Sequence, residues 1–93
     1  MLFSLYCKDG PKGPEVRKNI RPQHVAYLET HADQLVYAGP LLDENDSPIG
    51  SLIVIEVADR AAAEAFSVGD PYAKEGAFEN VEIVATRQVF PKQ

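Results

Sequence analysis

The segment Gly50–Val57 is apolar on two faces, and this feature limits the folds open to the chain more than any other. Its alternating residues form two sets, one of Leu52, Val54 and Glu56 and the other of Ile53, Ile55 and Val57. A strand with one face in water alternates between apolar and polar residues, whereas a strand covered on both faces does not. We therefore expect both faces of the sheet containing this strand to be covered.

Three more segments have the character of strands. They are bounded by Gly, Pro and Asp turn signals and comprise Leu2–Cys7, Leu35–Leu42 and Val81–Phe90. A helix opens at Gly13-Pro14, and a second helix is predicted from Arg60 to about Val68, with Asp59 as its N-cap and Gly69 at its end. A short helical turn follows Pro71 and ends at Gly76.

The order of these elements, βαββαβ, indicates the α+β class. It is typical of a ferredoxin-like sandwich, in which both helices cover one face of a four-stranded antiparallel sheet. The length of 93 residues allows a single domain over 1–93. The two helices cover only one face of this sheet. Burying apolar surface stabilises a protein by about 25 cal/mol per Å², so leaving the other apolar face in water would cost several kcal/mol of stability. We therefore predict a homodimer packed sheet to sheet.

Composition excludes several classes of partner and compartment. The net charge of −5 argues against a nucleic-acid-binding module. Residues 1–31 nevertheless carry five basic against three acidic side chains, which favours a small anionic ligand. No stretch is apolar enough to span a bilayer, and Met1–Cys7 lacks the features of a signal peptide. The expected location is therefore the cytoplasm, without membrane contact.

The first helix carries the main chemical signal. On a helical wheel, His24 falls inside the largely apolar stripe formed by Val16, Ile20, Tyr27, Leu28 and His31. Arg17 and Arg21 fall at the edge of this stripe. Pro22 either kinks the helix or starts a second one. His24 is either a core histidine bonded to a backbone carbonyl or a general base that titrates near working pH.

Asp70 is the candidate partner of His24. In a ferredoxin-like fold the segment after the second helix lies near the later half of the first helix. Asp70 precedes Pro71, so it is also a natural N-cap, and one oxygen can cap while the other accepts from the imidazole. Cys7 is the single cysteine; it is either a packing residue or a nucleophile paired with His24. No metal site is expected. His24 and His31 are too far apart along the helix to bind one ion, and a chain with a single cysteine offers too few soft ligands for a zinc site.

These features together resemble the YCII-related family of small bacterial proteins. The matching motifs are Arg21 with His24 and Tyr27-Leu28, Ala38-Gly39-Pro40-Leu41, Gly50, Asp70-Pro71 and Gly76. The resemblance implies a dimeric α+β barrel, and it implies that His24 and Asp70 form an active-site pair. Related barrels act on lactones, quinol-type rings and other small oxygenated molecules, often without a cofactor.

The expected function is that of a cofactor-independent enzyme of lyase or isomerase type, with His24 as general base and Asp70 as its orienting partner. The substrate-binding candidates are Arg21, Arg17, Tyr27 and Gly39. The alternative is a non-catalytic small-ligand-binding or interaction domain that uses the same pocket.

Overall fold

The computed structural model describes residues 1–92 and consists of one four-stranded sheet with its helices packed on one face. The strands are β1 (Leu2–Asp9), β2 (Leu35–Leu42), β3 (Pro48–Glu56) and β4 (Phe78–Thr86). Their spatial order is β2-β3-β1-β4, and every neighbouring pair is antiparallel. This arrangement confirms the predicted ferredoxin-like α+β fold.

Three helices complete the fold: α1 (Gly13–Thr30), α2 (Arg60–Gly69) and α3 (Pro71–Lys74). The predicted N-cap of α2 is confirmed, because the Asp59 carboxylate accepts a hydrogen bond from the Ala62 amide at 2.9 Å. α1 continues through Pro22 rather than ending there. Within residues 1–92, no helix combines the length and hydropathy needed to cross a membrane.

The strand register decides which side chains lie beneath the helices. Leu5 of β1 pairs with Ile53 of β3 and Ile83 of β4, and directly paired residues of antiparallel strands share a face. This face meets α1 and α2 in a core whose buried members are Phe3, Leu5, Cys7, Ile53, Ile55, Val57, Ala63 and Phe66. The set Ile53, Ile55 and Val57 of the sequence pattern is therefore the helix-covered set.

The other face of the sheet carries a row across all four strands that is apolar except at Ser4 of β1. Tyr37 pairs with Val54, Val54 with Ser4, and Ser4 with Val84. Tyr37 and Val84, with Tyr6 in the adjacent row, are about half exposed. Leu52 and Val54 thus lie on a face that no helix covers.

The last strand differs from its predicted bounds. It was expected over Val81–Phe90, whereas β4 begins at Phe78 and ends at Thr86. Its end coincides with the start of β1, because Leu2 pairs with Thr86 and β1 offers no strand residues beyond that point. At the other end, Asp9 pairs with Phe78, so backbone pairing extends the strand through Glu79 and Asn80 despite their low strand propensity.

The turn before β4 needs a glycine. Gly76 has a φ of +82°, a backbone conformation that L side chains rarely adopt. It follows α3 as predicted and returns the chain so that the Ala77 amide can donate to the Tyr72 carbonyl. The turn therefore fixes α3, and with it Tyr72, against the end of the sheet.

Candidate active site

His24 and Asp70 meet between the helices. The Nδ1 atom of His24 lies 2.8 Å from Oδ1 of Asp70, although the two residues are 46 positions apart. The side chains are 12% and 2% exposed. α1 carries His24 near its middle, while Asp70 lies between α2 and α3. The two residues that the sequence proposed as a pair are therefore in direct contact.

The local backbone fixes the Asp70 carboxylate. Asp70 is the N-cap of α3, and its Oδ1 accepts a hydrogen bond from the Tyr72 amide at 2.9 Å. The same oxygen contacts His24, so one atom serves both roles, whereas the sequence suggested a separate oxygen for each. Because this oxygen acts as an acceptor, His24 donates from Nδ1 and leaves Nε2 with a free lone pair in the neutral ring.

The Tyr72 ring holds the imidazole from another direction. The rings of His24 and Tyr72 are stacked, with centroids 3.8 Å apart and planes only 5° from parallel. Tyr72 is also packed with Val16 and Ala77 in a small buried cluster. The orientation of His24 is thus set by a hydrogen bond in the ring plane and by stacking on the ring face.

His24 opens into a cleft of about 210 Å³, here named the His24 cleft. Its polar lining residues are Arg17, Arg21, His24, Ser51 and Tyr72. Its remaining walls, from α1, β2 and β3, are apolar or small and consist of Val25, Leu28, Ala38, Gly39, Pro40, Pro48 and Ile53. Apolar walls with a few convergent polar groups are typical of small-molecule sites.

Arg17 borders the cleft, but its charge is already paired. Its Nε and Nη2 atoms donate to the two carboxylate oxygens of Asp9 at 2.8 and 2.9 Å, and Nη2 also donates to Ser51 Oγ at 3.0 Å. Burial works to lower the pKa of Arg17, but the hydrogen bond and charge of Asp9 outweigh it and raise the pKa above the ordinary arginine value. The ion pair of Arg17 and Asp9 is therefore a fixed part of the cleft wall, and it carries no net charge.

A glycine makes room for this pair. A Cβ at Gly13 would lie only 2.5 Å from Asp9 Oδ2, so any larger residue would displace the carboxylate. The absence of a side chain at Gly13 allows Asp9 to approach the start of α1. The positive end of the helix dipole adds to the stabilisation of the carboxylate there.

Arg21 and Gly39 also lie where the sequence placed them, at the cleft. Among residues 1–92, no carboxylate lies within ion-pairing distance of Arg21, in contrast to Arg17. Gly39 comes from β2, the strand at the sheet edge. Arg21 is therefore the cleft guanidinium whose charge is open to an anionic ligand.

Tyr27 lies elsewhere. Its hydroxyl donates to the Phe66 carbonyl at 2.8 Å, and its ring packs against Phe66 and His31 near the C-terminal end of α1. It does not line the His24 cleft. Three residues beyond His24, Tyr27 lies about 60° around the helix from it, on the side that packs against Phe66 of α2, whereas Leu28 lies on the other side of His24 and lines the cleft.

Cys7 is a core residue. It is 2% exposed, and burial together with the nearby Asp70 charge raises the pKa of its thiol to about 12. A thiol with so high a pKa is almost never ionised at neutral pH. The structure therefore fits Cys7 as a packing residue and does not fit it as a nucleophile. Across the described part of the chain, no three His, Cys, Asp or Glu side chains are grouped closely enough to hold a metal ion.

Sequence reasoning missed two residues of the site, Asp9 and Ser51. It also left Tyr72 unranked among the four tyrosines that could either line a pocket or merely pack. Asp9 was read only as part of a turn. Ser51 is a polar residue on the inward, otherwise apolar set of β3, which was an available signal. Tyr72 follows Asp70-Pro71, and because Asp70 caps the Tyr72 amide, any contact between Asp70 and His24 brings Tyr72 with it.

Comparisons with known proteins agree with this architecture. The profile of the YCII-related domain matches residues 1–87. The chain is 34% identical to Protein YciI of Escherichia coli O6:H1 over 98 residues, covering 97% of this chain and 100% of the relative. It is 30% identical to an uncharacterized protein of Haemophilus influenzae with the same coverage.

One solved structure shares the fold closely. It is 5-chloro-2-hydroxyhydroquinone dehydrochlorinase, TftG, of Burkholderia phenoliruptrix in complex with 2,5-dihydroxybenzoquinone. The TM-score is 0.85 at 28% identity, and 94% of each chain is covered. With the match to the domain profile and to YciI, these similarities show that the chain belongs to the YCII-related family.

Proposed function

We propose that this protein is a cofactor-independent enzyme that moves a proton on a small oxygenated ring compound, in a reaction of lyase or isomerase type. The observation that carries the proposal is the His24–Asp70 pair opening into a cleft of suitable size. The likeness of fold to TftG, a dehydrochlorinase, supports an enzymatic role.

His24 acts as the general base through Nε2. Asp70 holds the proton on Nδ1 and stabilises the imidazolium that forms when Nε2 takes up a proton. When His24 removes a proton from the substrate, the electron pair of the broken bond stays on the substrate and forms a new double bond. In an elimination the leaving group departs with its own bonding pair; in an isomerisation the imidazolium returns the proton to another atom.

Arg21 supplies the charge that binds the substrate. Because its guanidinium has no carboxylate partner within residues 1–92, it can neutralise a carboxylate, phenolate or enolate. Gly39 forms part of the β2 wall of the cleft through its backbone, because a Cβ there would lie on the opposite face of the sheet, 2.8 Å from the Tyr37 hydroxyl. Arg17 contributes by position rather than by free charge, since Asp9 already balances it.

The dimensions and walls of the cleft favour a single ring. A cavity of about 150 Å³ accommodates benzene, so the His24 cleft has room for one substituted six-membered ring. The solved structure of TftG is a complex with 2,5-dihydroxybenzoquinone, a ring of this size. Hydroxylated benzenes and quinones are therefore the first substrate class to test.

The test is turnover of 5-chloro-2-hydroxyhydroquinone and related halogenated hydroquinones, followed by quinone absorbance and chloride release. We expect His24→Ala and Asp70→Asn to lower kcat/KM by at least about a hundredfold, the lower range for a positioned base. Wild-type activity in both variants would refute the proposal. Saturable binding without product would instead support the non-catalytic ligand-binding alternative.

We further propose that two copies pack through the open faces of their sheets. The row Tyr37, Val54, Ser4 and Val84 supports this assembly, because all of its members but Ser4 present apolar surface where no helix covers them. Polar side chains, among them Lys8, Glu56 and Glu82, lie around this centre on the same face. An apolar centre with a polar rim is the common form of a protein interface.

A further inference from the structure

We propose that the hydroxyl groups of Tyr72 and Ser51 form a pair of neutral hydrogen-bond donors for one oxygen of the substrate in the His24 cleft. The inference rests on the proposed function and narrows its substrate class. It calls for a ring with at least two oxygen substituents, one that accepts from this donor pair and one on or beside the position that His24 deprotonates.

The first observation is a buried hydroxyl without a partner. Tyr72 is 3% exposed, yet its hydroxyl makes no hydrogen bond to any of residues 1–92. Among residues 1–92, every side-chain nitrogen or oxygen that is fully buried has a hydrogen-bond partner, so a hydroxyl without one is not fully buried. The Tyr72 hydroxyl must therefore reach open space, and Tyr72 lines the His24 cleft.

The second observation concerns Ser51, which is 4% exposed and also lines the cleft. Its Oγ accepts a hydrogen bond from Arg17 at 3.0 Å, which occupies a lone pair and not the hydroxyl hydrogen. Within residues 1–92 no side chain or carbonyl accepts that hydrogen. The Ser51 hydroxyl is thus free to donate to a ligand.

The Arg17–Asp9 pair holds both donors in place. The Arg17 guanidinium lies over the Tyr72 ring, 5.1 Å from its centroid, while the same guanidinium binds Ser51. Because Asp9 fixes Arg17 with two hydrogen bonds, the two hydroxyls share one rigid support. Stacking of Tyr72 on His24, with ring centroids 3.8 Å apart, then fixes the position of this support relative to the base.

The protonation state of Tyr72 suits the role of a donor. Burial raises its pKa above the ordinary tyrosine value, even though the charges of Arg17 and Arg21 act to lower it. Tyr72 therefore keeps its proton at neutral pH. Donors held toward an oxygen on which negative charge develops stabilise that charge without reorganising, as in other oxyanion sites.

The test is a spectrophotometric titration with 2,5-dihydroxybenzoquinone, compared between the wild type, Tyr72→Phe and Ser51→Ala. Tyr72→Phe keeps the stacked ring and removes only the hydroxyl, so we expect about ten- to hundredfold weaker binding. Ser51→Ala is expected to weaken binding about three- to tenfold. Tyr6→Phe, which removes a hydroxyl on the opposite face of the sheet, is the matched control and should bind as the wild type does.

A second measurement on the wild type does not depend on how the variants fold. With tyrosine labelled at Cζ by ¹³C, the Tyr72 resonance should shift on quinone binding while that of Tyr6 stays in place. Affinity within twofold of the wild type in Tyr72→Phe, or an unmoved Tyr72 resonance at saturation, would overturn this inference alone. Failure of the wild type to bind the quinone would overturn the proposed substrate class together with it.

Discussion

Oδ1 of Asp70 lies 2.8 Å from Nδ1 of His24 while also capping the first turn of α3. An N-cap is one of the most strongly fixed positions of a short helix, because its side chain must satisfy an otherwise unpaired backbone amide. The carboxylate that orients His24 therefore cannot rotate away without also breaking the cap. This dual use ties the geometry of the base to the local fold.

The first prediction concerns the tautomer of His24. In the neutral ring of the wild type, ¹⁵N NMR should find the proton on Nδ1 and none on Nε2, because Asp70 Oδ1 accepts. In Asp70→Asn the amide offers both a donor and an acceptor, so the Nδ1–H form should lose its dominance. A proton on Nε2 in the wild type would contradict the assignment of Nε2 as the base.

The second prediction compares two ion pairs. Arg17 and Asp9 have side chains 12% and 7% exposed, so Arg17→Met leaves a buried carboxylate unpaired and should lower the free energy of unfolding by about 3 kcal/mol or more. Arg60 and Glu64 are more than half exposed, and Arg60→Met should change it by less than about 0.5 kcal/mol. Urea unfolding measures both. Equal losses would show that the Arg17 pair is not a structural support.

The third prediction concerns the charge of Arg21. Arg21→Ala should weaken binding of anionic ring compounds about tenfold at low salt, and the difference should shrink as salt screens the interaction. Lys18→Ala removes a charge from an exposed position of the same helix and should leave the affinity unchanged. Isothermal titration at two salt concentrations distinguishes the variants. A loss of affinity in Lys18→Ala equal to that in Arg21→Ala would indicate only a general field effect.

The fourth prediction is a loss of stability at high pH. The pKa of Cys7 rises from 9.0 to about 12 on folding, so above pH 9 the unfolded chain binds fewer protons than the folded one. The free energy of unfolding should therefore be unaffected by this thiol below pH 9 and then fall by at most about 1.4 kcal/mol per pH unit. The pKa values of Tyr27 and Tyr72 are also raised and add a loss of the same sign above pH 10.

Cys7→Ala isolates the contribution of the thiol. Its overall stability will be lower, but urea unfolding between pH 8.5 and pH 10 should show a shallower decline than in the wild type, because the tyrosines contribute little there. Parallel curves for the two proteins would exclude the thiol as the cause.

The fifth prediction concerns assembly. Val84→Lys places a charge in the apolar row of the open sheet face and should convert a dimer into monomers in sedimentation equilibrium. Val68→Lys introduces the same charge at an exposed position of α2, away from that face, and should leave the assembly intact. A wild type that is monomeric at micromolar concentration would remove the dimer from the proposal.

Much of the fold could be predicted because it depends on local pattern. β2 has the predicted bounds Leu35–Leu42, and Asp59 and Gly76 mark helix boundaries through capping and turn chemistry. The end of β4 could not be predicted in this way. Val89 and Phe90 have strand character, but the strand ends at Thr86 because β1, its partner, begins at Leu2.

The sequence by itself determined the order of the elements, the two faces of β3 and the presence of His24 on the inward side of α1, since periods of 2 and 3.6 residues are properties of neighbouring positions. Only the tertiary structure decided which inward groups meet: Asp9 with Arg17, Asp70 with His24, and Tyr72 rather than Tyr27 at the cleft. The reason is physical. Those contacts depend on the position and the rotation of each helix against the sheet, and both are set by packing among residues far apart in the chain.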